Sequence, residues 1–182
     1  MTNTTDQLTA EHLACMQDNG QRRELVDGVL HIMSPAGGRH GSISGKLFLR
    51  FGNHVEQHKL GEIFAAETGF LIHQNPDTVR APDVSFISYA RLGKFVDYPG
   101  YLPLAPDMAA EVVSPNDDSS KMESKAIAWL RAGVRVVLVV DPQTRSIHEY
   151  RPPNQIRVYN EGDIDLGDVL PEFKLNVSEL FG

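Results

Sequence analysis

Apolar positions along the chain change period several times, and each change marks an element. Leu13 and Met16 stand three apart in TAEHLACMQD behind Thr9, a good N-cap, which predicts a short helix ending before Gly20. In RRELVDGVLHIMSP, Leu25 and the run Val29 to Met33 flank Asp27-Gly28. That dipeptide accepts the positive φ angles of a tight turn, so two short antiparallel strands follow, with Glu24 at the opening of the first. The glycine-rich segment from Pro35 to Gly41 lacks the Gly-Lys-Ser/Thr ending of a phosphate loop and reads as a turn. Ile43, Leu47, Phe51 and Val55, each four residues on, predict a helix over 40–58 that packs on a sheet. Gly45 and Gly52 inside it cost about 1 kcal/mol each relative to alanine, which implies close packing or a site beside them. Residues 62–75 read as two strand-like pieces around Thr68-Gly69, and Val84 to Ile87 as a β-branched and aromatic strand.

Residues 88–106 carry no clean period. A connection of that length is functional, interface-forming or a cover for the core edge; Phe95, Tyr98 and Tyr101 suit base stacking, a subunit contact or that cover. Met108 to Val113 is the next strand. Asn116 or Asp117 is placed to cap a helix over 119–132, with Met122, Ala126, Trp129 and Leu130 on its buried side and Gly133 just past its end. Five consecutive apolar residues between Arg135 and Asp141 mark a strand covered on both faces. Strand, helix and strand in that order argue a right-handed crossover and a parallel pair. Residues 146–150 and 155–159 form a hairpin, GDIDLGDVLPEF a connection, and LNVSELF a terminal helical turn. The expected fold is an α/β domain, an α+β arrangement on a mixed, twisted sheet. Its central strands lie near 61–73, 83–87, 108–113 and 135–141, helices 40–58 and 119–132 pack on it, and N-terminal and C-terminal hairpins extend it.

Composition narrows this little. At 182 residues the chain reads as one domain, burying roughly 70% of the surface its unfolded form exposes. The single cysteine, Cys15, allows no intrachain disulfide and reads as a small core residue. Residues 1–6 are polar and expected to be disordered. The opening MTNTTDQLTAEH lacks the form of a signal peptide, and no run of about 18 apolar residues occurs, so a cytoplasmic protein with no membrane partner is expected. Seventeen basic against twenty-four acidic residues give a net charge of −7, which argues against avid non-specific binding of duplex DNA. A nuclease survives that balance, because a metal neutralises part of an acidic site and basic residues between Arg22 and Lys94 can share one face.

The chemistry lies between Arg80 and Pro142. Asp83 and Glu111 each sit at or in a short apolar run. If those strands are neighbours, both carboxylates reach one divalent ion, and Mg²⁺ takes one or two carboxylates plus water and phosphate oxygens. Such an ion activates water and steadies charge on phosphorus. A lysine nearby orients that water or offsets the charge; Lys125 suits this better than Lys121, since it borders the stripe of Met122, Ala126 and Trp129. The plainer alternative is that both acids are solvated strand ends and both lysines surface residues beside Glu123 and Asp118. Glu24 is a third carboxylate consistent with positioning water. His40 reads more simply as a buried or helix-capping histidine, and Asp107 as a strand-opening residue held in reserve as a ligand.

The blocks RELVDGVLHIMSP with a following His, RAPDVSF, and AAEVVSPNDDSSKMESKAIAWLRAGVRVVLVVDP, in this order and with these gaps, resemble the Uma2 family, also called DUF820. The likeness spans nearly all of residues 9–180. It implies restriction endonucleases with a PD-(D/E)XK nuclease fold, with Asp83 and Glu111 as ligands of Mg²⁺ or Mn²⁺. It further matches Lys125, four residues before Trp129, to the family's helix lysine, Glu24 to its first-block glutamate and His40 to its histidine. The general nuclease motif has a lysine two residues after the glutamate, where this chain has Val113; the family moves that role to the helix lysine. The expected function is hydrolysis of nucleic-acid phosphodiesters, catalysed by Asp83, Glu111, Lys125 and Glu24, with DNA as substrate and a homodimer to cut both strands. The alternatives are a non-catalytic nucleic-acid or protein binding module on the same fold, and an oligomerising protein that uses the loop 88–106.

Overall fold

The computed structural model describes residues 7–115 and 117–182, so the disorder expected of residues 1–6 and the cap expected at Asn116 lie outside the described residues. Thr9 caps α1 (Ala10–Ala14) through a reciprocal box in which its hydroxyl accepts from the His12 N–H and the His12 ring accepts from the Thr9 N–H. Asp27 and Gly28, at φ 51° and 77°, then turn β1 (Arg22–Val26) into β2 (Val29–Met33). The glycine-rich segment does more than turn, since Gly37 caps α2 (Gly38–His58). The helix buries His40, Ile43, Leu47, Phe51 and Val55 and ends at Lys59 in the left-handed region, φ 51°. There follow β3 (Gly61–Ala65), β4 (Phe70–His73), β5 (Thr78–Arg80) and β6 (Val84–Ser88). Two short helical turns, α3 (Tyr89–Leu92) and a 3₁₀ turn over Gly93–Phe95, precede β7 (Met108–Val112). Then come α4 (Ser119–Arg131), β8 (Val136–Asp141), β9 (Ser146–Arg151), β10 (Gln155–Tyr159), β11 (Asp163–Asp165), β12 (Lys174–Asn176) and α5 (Val177–Phe181).

Strands β10-β9-β8-β7-β6-β3 form the main sheet in that order. It is mixed: β7 and β8 are parallel, as the crossover through α4 requires, and the other pairs are antiparallel. Alternation sorts its side chains. Val84, Phe86, Met108, Ala110, Leu138 and Val140 pack toward α2 and the C-terminal elements. Ala109, Val137, Val139 and Ile87 pack with Phe70, Ala126 and Trp129 on the α4 side.

Several expectations need correction. The N-terminal hairpin does not extend the main sheet: β2-β1-β5-β4 make a second one with a small core of Leu13, Leu25 and Val79, so residues 61–73 divide between two sheets. The C-terminal hairpin β9-β10 does extend the main sheet. The acidic connection contains β11, paired with β12. Asp118, one residue past the expected Asp117, caps α4 by accepting from the Ser120 N–H. Cys15 is exposed, because α1 turns only Leu13 fully inward. Among the described residues, and apart from the backbone of its own helix, Gly45 has no atom within 4 Å of an added Cβ and Gly52 only Ile63 at 3.6 Å, so neither marks a tight approach. In the loop 88–106 Leu92, Leu102 and Ala105 seal the core edge, while Tyr98 stays exposed.

Candidate active site

Asp83 precedes β6 by one residue and lies beside β7: its own N–H donates to the Ala110 carbonyl at 3.1 Å, and its Oδ2 accepts from the Val112 N–H at 2.8 Å. Those two bonds lock the carboxylate at the carboxyl end of β7. Glu111 points from β7 toward α4, the opposite way from Ala110 and Val112. There its Oε2 meets Lys125 Nζ at 3.0 Å and its Oε1 accepts from Trp129 Nε1 at 2.8 Å. Lys125 and Trp129 stand four apart, so one face of α4 holds both oxygens of one acid. Glu24 arrives from the small sheet. Its Oε1 lies 3.1 Å from Lys125 Nζ and accepts from the Ala81 N–H, and its Oε2 meets Arg80 at 3.2 Å.

His40 enters from the first turn of α2, with Nε2 3.1 Å from Asp83 Oδ2. The histidine is buried, as the plainer reading held, and its place is inside this cluster. Arg22 donates from Nη1 to Asp83 Oδ1 at 3.1 Å and from Nη2 to the Ala81 carbonyl at 2.7 Å. All three acids are nearly closed to solvent, with 4% exposure for Glu24 and Asp83 and 3% for Glu111. They border an open cleft of about 880 Å³, walled on one side by Ile32, Met33 and Pro35 and on the other by the start of α4 with Lys121.

Burial opposes the Asp83 charge, yet His40, the Val112 N–H and Arg22 outweigh it and hold this carboxyl below the ordinary aspartate range. Glu24 is likewise pulled down against burial by Lys125, Arg80 and the Ala81 N–H. Glu111 moves the other way: burial raises it, Lys125 works against that, and the charges of Asp83 and Glu24 push it further up. Lys125 is raised too, since burial is overcome by Glu111 and Glu24. Glu111 thus rises chiefly because it is buried, and Lys125 because two carboxylates face it.

A family model described as "Putative restriction endonuclease", Uma2, matches residues 9–178. The chain belongs to the Uma2 family. A search of curated proteins finds no match. Among solved structures, the chain is similar to one from Anabaena variabilis ATCC 29413, described as a "putative nuclease belonging to DUF820". The two are 19% identical with a TM-score of 0.82 over 96% of this chain and 97% of that one. The shared fold is a mixed α+β one of the restriction-endonuclease-like kind.

Asp83, Glu111, Lys125 and Glu24, the residues expected from sequence, thus border one cleft, and His40 contacts Asp83. Asp107 does not join them. It accepts from the Ser88 N–H and pairs with Arg91, at the opposite end of β7. Sequence reasoning missed Arg22, Arg80 and the indole of Trp129. Arg22 and Glu24 stand two apart on β1, and that spacing on a short strand was the one available sign that they share a face. The donors suit a hard ion, being carboxylate oxygens under like-charge crowding. Among the described residues no group of three or more His, Cys, Asp or Glu side chains is spaced to hold a metal. Asp83 and Glu111 are the side chains that could hold such an ion, with water and phosphate oxygens completing its shell, the pattern Mg²⁺ prefers.

Proposed function

We propose that this Uma2 protein hydrolyses nucleic-acid phosphodiester bonds with a divalent metal, Mg²⁺ or Mn²⁺, held by Asp83 and Glu111. The supporting observation is the convergence of Asp83, Glu111 and Lys125, from three different elements, on one cleft. A bound ion would supply Lewis-acid activation of water and stabilise charge on the phosphate. In the reaction a water oxygen attacks phosphorus, the bond to the leaving oxygen breaks, and the proton lost from water passes to solvent or to the leaving group. Lys125 keeps its proton, since its affinity for it is raised. It is thus a cation that orients water and offsets developing charge, and a poor base. Glu24, tied to Ala81 and Arg80 on one side and to Lys125 on the other, positions that ammonium.

The reading is tested with supercoiled plasmid, linear duplex, single-stranded DNA and RNA, each incubated with Mg²⁺ or Mn²⁺. D83A should abolish cleavage, and K125A should slow it about 10²-fold or more, as loss of one preorganised electrostatic contact does. Wild type indistinguishable from D83A on every substrate would sink the proposal. A second reading, a binding module on this fold, is favoured by one observation: each acid already has a cation, Arg22 for Asp83, Arg80 for Glu24 and Lys125 for Glu111. Calorimetric titration with Mn²⁺ separates the two readings, since the module needs no ion at Asp83 and Glu111.

A further inference from the structure

Four cationic or titratable side chains surround the acids, and they differ in how firmly each is fixed. Lys125 has two carboxylates within 3.1 Å. Arg80 is paired with Glu24, which is anchored in turn on the Ala81 N–H. His40 approaches Asp83 Oδ2, an oxygen that also holds the Val112 N–H. Asp83 Oδ1, among the described residues, is hydrogen-bonded by Arg22 alone. It is therefore the oxygen that an ion can take without breaking a backbone bond, and Arg22 is the group it would meet there.

Arg22 also has unused donor capacity. Among the described residues its Nε, like that of Arg80, is buried without a hydrogen-bond partner, and the nearest acid beyond Asp83, Glu67, lies at 3.9 Å. Unpaired buried donors are costly, and a phosphate matches a guanidinium fork in two places at once. The side chain lines the cleft, and its Nη2 bond to the Ala81 carbonyl gives it a pivot. A divalent ion at Asp83 would also repel a guanidinium in contact with the same carboxylate, whereas an anionic phosphate between them removes that conflict.

We propose that Arg22 is the exchangeable cation of this site: it holds Asp83 Oδ1, yields that oxygen to a divalent ion, and turns its guanidinium to the substrate phosphate. This rests on the metal-dependent reading above and adds a positioning residue to it. Occupancy of Asp83 and grip on the phosphate become linked through one side chain, so metal and nucleic acid each favour binding of the other.

Calorimetric titration of Mn²⁺ into wild type, R22Q, R22K and D83A tests the exchange. R22Q, which removes the competing charge, should bind Mn²⁺ about fivefold tighter or more. R22K, which keeps it, should stay within about twofold of wild type, and D83A should lose binding. With an oligonucleotide substrate, R22Q should raise KM about 10-fold with a smaller change in kcat. A merely structural role for Arg22 would weaken metal binding, not strengthen it. The unaltered protein supplies a check if R22Q folds poorly: the Arg22 Nε–H signal in ¹⁵N spectra, assigned by its absence in R22K, should move when Mg²⁺ is added. An R22Q affinity no higher than wild type, with D83A still abolishing binding, or an unmoved Nε–H signal in Mg²⁺-loaded protein, overturns the exchange and leaves the metal site standing. No Mn²⁺ binding by either wild type or R22Q overturns both.

Discussion

His40 is the residue of the cluster whose charge changes most readily near neutral pH. The hydrogen bond and charge of Asp83 raise its pKa above the ordinary 6.5, against the opposing effects of burial and of Arg22. A group that holds its proton more tightly when folded stabilises the fold fully below its unfolded pKa, and that contribution fades as pH rises through the folded value. Asp83 has the opposite sign. Its pKa is lowered, so its contribution is present above its unfolded value of 3.8 and is lost only as pH falls through the lower folded one. Between these limits only the contribution of His40 varies at this pair. The melting temperature of wild type should therefore exceed that of H40Q by more at pH 6 than at pH 8.5. A gap that stays constant with pH would show that folding does not raise the His40 pKa, and one that widens with pH that folding lowers it. The residues at this scale were unequally legible in the sequence. Asp83, Glu111 and Lys125 stand out because a charge at the edge of an apolar run or stripe breaks the pattern. Arg22, Arg80 and Trp129 break none; an arginine on a short strand and a tryptophan on a buried face look ordinary, and the partners of the two arginines come from elements far along the chain.

At the scale of elements, hydrophobic period was informative wherever an element was long enough to show one. The stripe through Ile43, Leu47, Phe51 and Val55 gave α2, and the unbroken apolar run between Arg135 and Asp141 gave β8. Strands β5, β11 and β12, three residues each, are too short to carry a period, and only pairing shows that β3 and β4 join different sheets. Glycines show a similar split. Gly45 is exposed on α2 with open space beside it, so its cost is the entropy of an unsubstituted residue in a helix. Gly61 looks equally ordinary in sequence, yet a Cβ there would sit 2.0 Å from the Ile87 carbonyl oxygen, on the backbone of the neighbouring strand. G45A should raise stability by about 0.5–1 kcal/mol. G61A should lower it by about 1–3 kcal/mol, because β3 must move off β6 to make room. Urea denaturation of both variants checks the pair, and equal effects would contradict the difference in packing.

The whole molecule places its site between two sheets of unequal strength. Asp83 and Glu111 belong to the main sheet, Lys125 to the helix on its face, and Arg22, Glu24 and Arg80 to the smaller sheet. The main sheet has an extensive core on each face, whereas the smaller one rests on Leu13, Leu25 and Val79 with partly buried neighbours. Segments with few buried apolar contacts open at lower free energy than the rest of a fold. Amides of β1 and β5 should accordingly exchange with deuterium faster than those of β7 and β8. The ion pairs across the cleft join the two parts, so opening the smaller sheet also strips Asp83 of Arg22 and Lys125 of Glu24. Leu25 is fully buried at the centre of that sheet's core, and L25A should cost about 2–5 kcal/mol. If the smaller sheet is an independent opening unit, L25A speeds exchange in β1 and β5 much more than in β7 and β8. Uniform acceleration across both sheets would mean that the two open as one body, with the ion pairs at the cleft binding them more firmly than the small core predicts.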